Sequence, residues 1–166
     1  MVNEAPFEYP GVQIRLTLSE LLMACSVGAV RHHESVSSGR RDANGFTDRQ
    51  SGLSVHIEGA AGELAVAHVW NLHFAGHVNT FKGADLGERT QVKCRSQHNY
   101  ELIVRKDDSS DHIFVLVTGS APNFFVRGWL YGHEAKHKDF LATHGDREAA
   151  YFVPHGLLHS MEMLPE

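Results

Sequence analysis

Cysteine is nearly missing: Cys25 and Cys94 are the two thiols in 166 residues. A disulfide-stapled scaffold is excluded, and both are expected as buried free thiols in a reducing cytoplasm. No apolar run reaches the roughly 20 residues of a spanning helix, so no membrane partner is expected. The start, Met1-Val2-Asn3-Glu4-Ala5-Pro6, lacks the basic-then-apolar order of a secretory signal. Basic charge is short as well. The 15 Lys and Arg against 20 Asp and Glu leave a net charge of -5. That rules out coating nucleic acid by bulk charge, but not a local grip through a metal ion and a few arginines. There is no glycine-rich phosphate loop, and Ser120 lacks the G-x-S-x-G elbow of a serine hydrolase.

Histidine is abundant instead, with 13 copies scattered along the chain. Many begin to take protons below about pH 6.5, so the net charge drifts positive in mild acid. His133-Glu134-Ala135-Lys136-His137 fits the H-E-x-x-H zinc pattern. On a helix over 133–141, His133 and His137 share a face. A chain so rich in His produces this pattern by chance, and Lys136 and Lys138 put positive charge beside the ion. We therefore set a zinc protease aside and read the pair as an adventitious metal site at most.

A hydrophobic content of 42% and this length suit one domain, 1–166, with a real core. Val12–Leu16 alternates like an edge strand. Thr17-Leu18-Ser19-Glu20 is a capping box opening a helix to about His33, with Leu21, Leu22, Cys25, Gly28 and Ala29 as its stripe. His32-His33 close that helix, where cations suit the dipole. The loop 39–45 carries Arg40-Arg41, a basic pair read mainly as a solvated face within reach of phosphate. A second helix spans about Leu53 to Leu72. Strands are expected over 77–81, 100–105, 112–118 and 124–130, with 112–118 buried on both faces. A docking strand follows at 151–154. Trp70 and Trp129 read as core or half-buried aromatics.

The chemistry-bearing residues lie between the second helix and the strand Thr90–Arg95. Glu63 sits on a helix face flanked by Gly59, Ala60, Val66 and Ala67. So bare a surface packs close, and a carboxylate on it is buried and needs a partner or a metal. Asp85 sits in the turn before Gly87. In Thr90–Arg95 the alternation puts Gln91, Lys93 and Arg95 on one face and Val92 and Cys94 on the other, toward a core. Carboxylates beside a lysine suit a hard cation and an activated water.

This order, Glu63 on a helix, Asp85 at a turn and Gln91-Val92-Lys93 on the next strand, resembles the PD-(D/E)XK nuclease superfamily over roughly residues 53–130. Gly59-Ala60-Ala61-Gly62-Glu63-Leu64-Ala65 is similar to the helix of its small phage and bacterial members. The resemblance implies an α/β fold: a restriction-endonuclease-like core in which helices flank a mixed β-sheet, with the helix 17–33 packed on it. It implies a bacterial or phage-infected cytoplasm, DNA as partner, and hydrolysis of phosphodiesters with Mg²⁺ or Mn²⁺. Glu63 and Asp85 would hold the metal, Lys93 would orient the water and Gln91 would hydrogen-bond it, with Arg95 available to the phosphate backbone. Gln91 is neutral where many members have an acid, which weakens the expected hold on the metal. A catalytically inactive nuclease-fold module, binding DNA or serving a structural or regulatory role, is the second expectation. A homodimer is compatible with either.

Overall fold

A computed structural model describes residues 9–39, 49–78 and 83–165 of the chain. Its elements are β1 (Val12–Arg15), α1 (Leu18–Ser37), α2 (Arg49–Trp70), β2 (Thr90–Arg95), β3 (Leu102–Arg105), β4 (Ile113–Ser120), β5 (Asn123–Tyr131), α3 (Gly132–Ala135), β6 (Leu141–Ala142) and β7 (Ala150–Val153). Four strands form a mixed sheet in the order β1-β5-β4-β2, and three form a smaller sheet in the order β3-β7-β6. Within the larger sheet β2 runs parallel to β4, while β4–β5 and β5–β1 are antiparallel. A parallel pair needs a crossover; here β3 supplies it, leaving the large sheet for the small one before β4 returns.

The molecule has three layers. The buried residues Ile113, Val115 and Val117 of β4 join Ala60, Ala61, Leu64 and Ala65 of α2 in one core. Phe114 and Leu116, one step out of phase, join Leu102, Val104 and Val153 of the small sheet in another. The unbroken apolar run is thus a central strand buried on both faces, as its sequence predicts. The two long helices lie on one face of the large sheet, and the short α3 packs on the other through Ala135. That second face, expected to carry flanking helices alone, carries the small sheet.

The helix layer is an antiparallel pair. The capping box forms: the Thr17 hydroxyl accepts from the Glu20 N–H and the Glu20 carboxylate from the Thr17 N–H, at 3.4 and 2.7 Å. At the crossing, Gly28 lies so close to α2 that a β-carbon there would stand 2.6 Å from the Ile57 Cα. Contacts of Glu20 with His68 and of His32 with His56 fix the antiparallel sense. On the other side of α2, a β-carbon at Gly62 would meet the Cys94 Cβ and Sγ at 3.1 Å. The small-residue surface of α2 therefore lets it lie between α1 and β2, with Ala60 to Ala67 buried almost throughout.

Several expectations are corrected. The first helix continues past His33 to Ser37, so His32 and His33 lie within it. Its buried residues are Ala24 and Gly28, whereas Leu22, Cys25 and Ala29 are exposed; Cys25 is therefore no core thiol. His77 and Val78 are not in a strand, and the rest of the expected strand, like Arg40-Arg41, lies outside the described residues. The expected helix 133–141 breaks into α3 and a 3-10 turn, Lys138–Phe140, capped by His137. His133 and His137 therefore share no helix face. Both tryptophans pack as expected: Trp129 is buried, edge-on to the half-buried Trp70 at 6.4 Å.

Candidate active site

The edge of β2 organises the site. Among the described residues β4 is the one strand paired with β2, and on the other side of β2 the Val92 N–H has no strand partner. The Val92 N–H donates instead to Asp85 Oδ2 at 2.7 Å. Asp85 reaches this position because the chain turns back on itself: its own N–H donates to the Thr90 carbonyl at 2.8 Å, and Leu86 bridges Thr90. Gly87, at φ +59°, takes the left-handed conformation this turn needs. Gln91 braces the same turn, donating from Nε2 to the Gly83 carbonyl at 2.7 Å.

On the helix side of this edge stands Glu63, only 5% exposed. The burial expected from its bare flanks is present. Its partner is one the sequence reading missed. Arg31, on α1, donates Nη1 to Oε1 at 2.6 Å and Nη2 to Oε2 at 2.9 Å, while its Nε donates to the His77 carbonyl at 2.8 Å. This two-pronged pairing is the strong form of a charge-assisted bond. Burial nevertheless pushes the Glu63 carboxyl up to about 7; Arg31 opposes the shift and the nearby Asp85 charge adds to it. Asp85 is also raised, by burial first, against the pull of the Val92 N–H, Lys93 and Arg31.

On the opposite side stands Lys93. Its Nζ lies 3.0 Å from Asp108 Oδ2 and 5.3 Å from the centre of the Phe114 ring. Asp108, a second residue missed, is held in turn by the Arg105 N–H at 2.9 Å. Asp85 thus sits between two ion pairs, Arg31–Glu63 and Lys93–Asp108, and its charge is felt by Glu63, Arg31 and Lys93. Glu63 and Lys93 each interact electrostatically with Asp85, while the direct partners of their own side chains are Arg31 and Asp108; Gln91 supports the turn that carries Asp85. Cys94, on the core face of β2, has its thiol pushed up to about 12 by burial, which leaves it inert as a nucleophile.

Arg95 points elsewhere. Its guanidinium lies over the Tyr100 ring at 4.7 Å and lines an open cleft of about 1320 Å³ with Arg105, Lys106 and Arg147. Glu101, Asp107, Asp146 and Glu148 line the same cleft and balance that charge.

No cluster of three or more His, Cys, Asp or Glu able to hold a metal occurs among the described residues. The donor set available at the β2 edge is two carboxylates, Glu63 and Asp85. Both are buried oxygen donors, the ligand type a hard cation takes once the carboxyls have lost their protons. Both Glu63 oxygens accept from Arg31, so that guanidinium must release at least one of them for a cation to bind. No family model, curated sequence or solved structure matches the chain, and no described helix is long and apolar enough to cross a membrane.

Proposed function

We propose that the protein is a metal-dependent nuclease acting on DNA, built on a restriction-endonuclease-like core with a Gln-x-Lys form of the site. One observation carries the reading. Asp85, held at the edge of β2 by the Val92 N–H at 2.7 Å, lies within electrostatic reach of Glu63 on the helix and of Lys93 on the strand. Glu63 and Asp85 are the residues that would hold Mg²⁺ or Mn²⁺. A bound divalent ion supplies charge to a phosphate oxygen and lowers the pKa of a water. Lys93 holds the attacking water in place and stabilises the negative charge that develops on phosphorus oxygens. Gln91, through the Gly83 carbonyl, keeps Asp85 at the strand edge. Arg95, turned into the cleft beside Tyr100, would meet the nucleic-acid backbone only away from the carboxylates.

Supercoiled, linear and single-stranded DNA, each incubated with Mg²⁺ or Mn²⁺, test this. Cleavage is expected in the wild type. Lys93→Ala is expected to lower it by about 10²–10³-fold, the usual loss for one transition-state partner. Undiminished cleavage by that variant sinks the assignment. The clamped state of Glu63 favours a second reading, a nuclease-fold module that binds DNA without cutting it. Binding with no cleavage in any divalent ion would establish that reading.

A further inference from the structure

The small sheet buries one face and bares the other. Strand alternation sends Leu102, Val104 and Val153 into the core, and Ile103 with its register partner Phe152 to the open cleft of about 1320 Å³. Tyr9 and Tyr100 line the same cleft, and His155 holds them both. Its Nε2–H donates to the Tyr100 carbonyl at 2.8 Å, and its ring packs on that of Tyr9 at 4.4 Å. The cleft is therefore aromatic and apolar on its floor and wall. Two cations stand over it. Arg95 lies across the Tyr100 ring at 4.7 Å, and its Nη1 donates to the Glu101 carbonyl at 3.4 Å. Neither Arg95 nor Arg147 is in an ion pair with any described residue. The two guanidinium groups are near enough for Arg147 to act on Arg95, and the Glu101 charge offsets one of them and leaves the other unanswered.

We infer that this cleft seats a short single-stranded stretch of DNA, with phosphates at Arg95 and Arg147 and bases laid along Tyr100, Ile103 and Phe152. Three observations favour that occupant. The first is chemistry. A guanidinium lying over a tyrosine ring is a stack that a base extends, and unpaired cations beside exposed rings are how sequence-tolerant binders take a single strand. A duplex keeps its base faces stacked within itself and cannot lay them on this floor. The second is size. Pockets for one small molecule hold about 300–1,000 Å³, so a cleft of this volume suits several linked nucleotides better than one. The third is place. Arg95 follows Lys93 by two residues on the same face of β2, about 7 Å along the strand. A strand lying in the cleft therefore leads toward the proposed site. Asp107, Asp146 and Glu148 line the rest of the cleft and repel further phosphates, so the stretch held is short. The inference rests on DNA being the partner, as proposed above, and not on its being cut.

Fluorescence anisotropy of an end-labelled oligothymidylate of about ten residues, titrated with the full chain in EDTA, tests the inference without any cleavage. The wild type is expected to bind it about tenfold or more tightly than a hairpin duplex, the difference that stacking of one or two bases supplies. Two phosphate contacts give a slope of about -1.4 for log affinity against log salt, and Arg95→Gln or Arg147→Gln should each bring it to about -0.7 and weaken binding about fivefold. Arg147 is exposed, so its variant keeps the fold even if Arg95→Gln does not. Lys138→Gln, which removes an exposed cation outside the cleft, should bind as the wild type does. Iododeoxyuridine placed in the strand should crosslink to Tyr100 or Phe152 on irradiation. A wild type that binds no single strand overturns the inference, as does a duplex bound equally well or an Arg147→Gln variant that binds unchanged. Crosslinks confined to residues outside the cleft also overturn it. So does equal competition, mole for mole, by thymidine monophosphate, which would make the ligand a free nucleotide, or by a polyglutamate peptide, which would make it any acidic chain. Cleavage without this binding would sink the inference and spare the nuclease; binding without cleavage in any divalent ion would do the reverse.

Discussion

Replacing Gly28 by alanine tests the packing that carries the site. A methyl group there would meet the Ile57 Cα at 2.6 Å, its Cγ1 at 2.7 Å and its N at 2.7 Å. Carbon atoms rest at about 3.5–4.0 Å, so the two helices must part by about 1 Å. Two of the three opposing atoms are backbone and cannot rotate away. Overpacking of this kind costs about 1–3 kcal/mol. Against it stands the gain of about 1 kcal/mol when alanine replaces glycine in a helix. The net expectation is a loss of up to about 2 kcal/mol. For a domain of this size each kcal/mol moves the melting temperature by about 2–4 °C, so a fall of up to about 8 °C is expected. Arg31 follows Gly28 by less than one turn, so the same displacement should pull its guanidinium off Glu63. Thermal and urea unfolding of the variant measure the effect. The sign decides it: an open helix surface at 28 would make the variant more stable by about 1 kcal/mol, and that result refutes the close crossing of α1 and α2.

Glu63→Gln probes the buried carboxyl. Its folded pKa of about 7 lies above the ordinary value of 4.5, so the folded chain binds this proton more tightly than the unfolded chain. The associated stability is fully present below about pH 4.5 and is lost as pH rises through 7, in all about 3 kcal/mol. Urea midpoints from pH 5 to 8 should therefore fall more steeply in the wild type than in the variant, and parallel profiles would reject the raised pKa. Asp108→Asn removes the charge that holds Lys93. Both partners are roughly a quarter exposed, so the stability loss should stay near or below about 1 kcal/mol. Lys93 is left free for its proposed task, and cleavage should stay within a few-fold of wild type; a loss as large as that of Lys93→Ala would make Asp108 part of the chemistry.

The sequence disclosed the pieces of the site better than their pairing. The bare face around Glu63 announced close packing, and the alternation in Thr90–Arg95 correctly sent Val92 and Cys94 to the core. Arg31 was hidden because α1 is apolar on two sides. A stripe drawn through Leu21, Leu22, Cys25, Gly28 and Ala29 mixes the inward face with the outward one. Set in the right phase, Ala24, Gly28 and Arg31 fall one turn apart, and a cation on a buried stripe asks for a buried acid. Asp108 gave no comparable signal, since it is one of three aspartates in a polar turn. The second layer over β4 was legible only as burial: an apolar run says that something covers both faces, not whether a helix or a sheet does so.

The charges around the β2 edge explain why protons and cations should compete there. With every group ionised, Glu63, Asp85 and Asp108 carry three negative charges against the two positive charges of Arg31 and Lys93. Both Glu63 and Asp85 are buried enough for their carboxyls to be raised despite those cations. The excess of one negative charge in a poorly solvated place is costly. It can be relieved by a proton on Glu63 or, if the proposed metal ion binds, by that ion, but the same oxygens cannot serve both. Metal ligands must be deprotonated, so affinity should fall by about tenfold for each pH unit below 7. The Arg31 clamp adds a second competitor for the same two oxygens, one that pH does not remove because the guanidinium stays charged. Proton, guanidinium and the proposed metal ion would therefore compete for one carboxylate, and the position of α1, which carries the guanidinium, bears on the outcome.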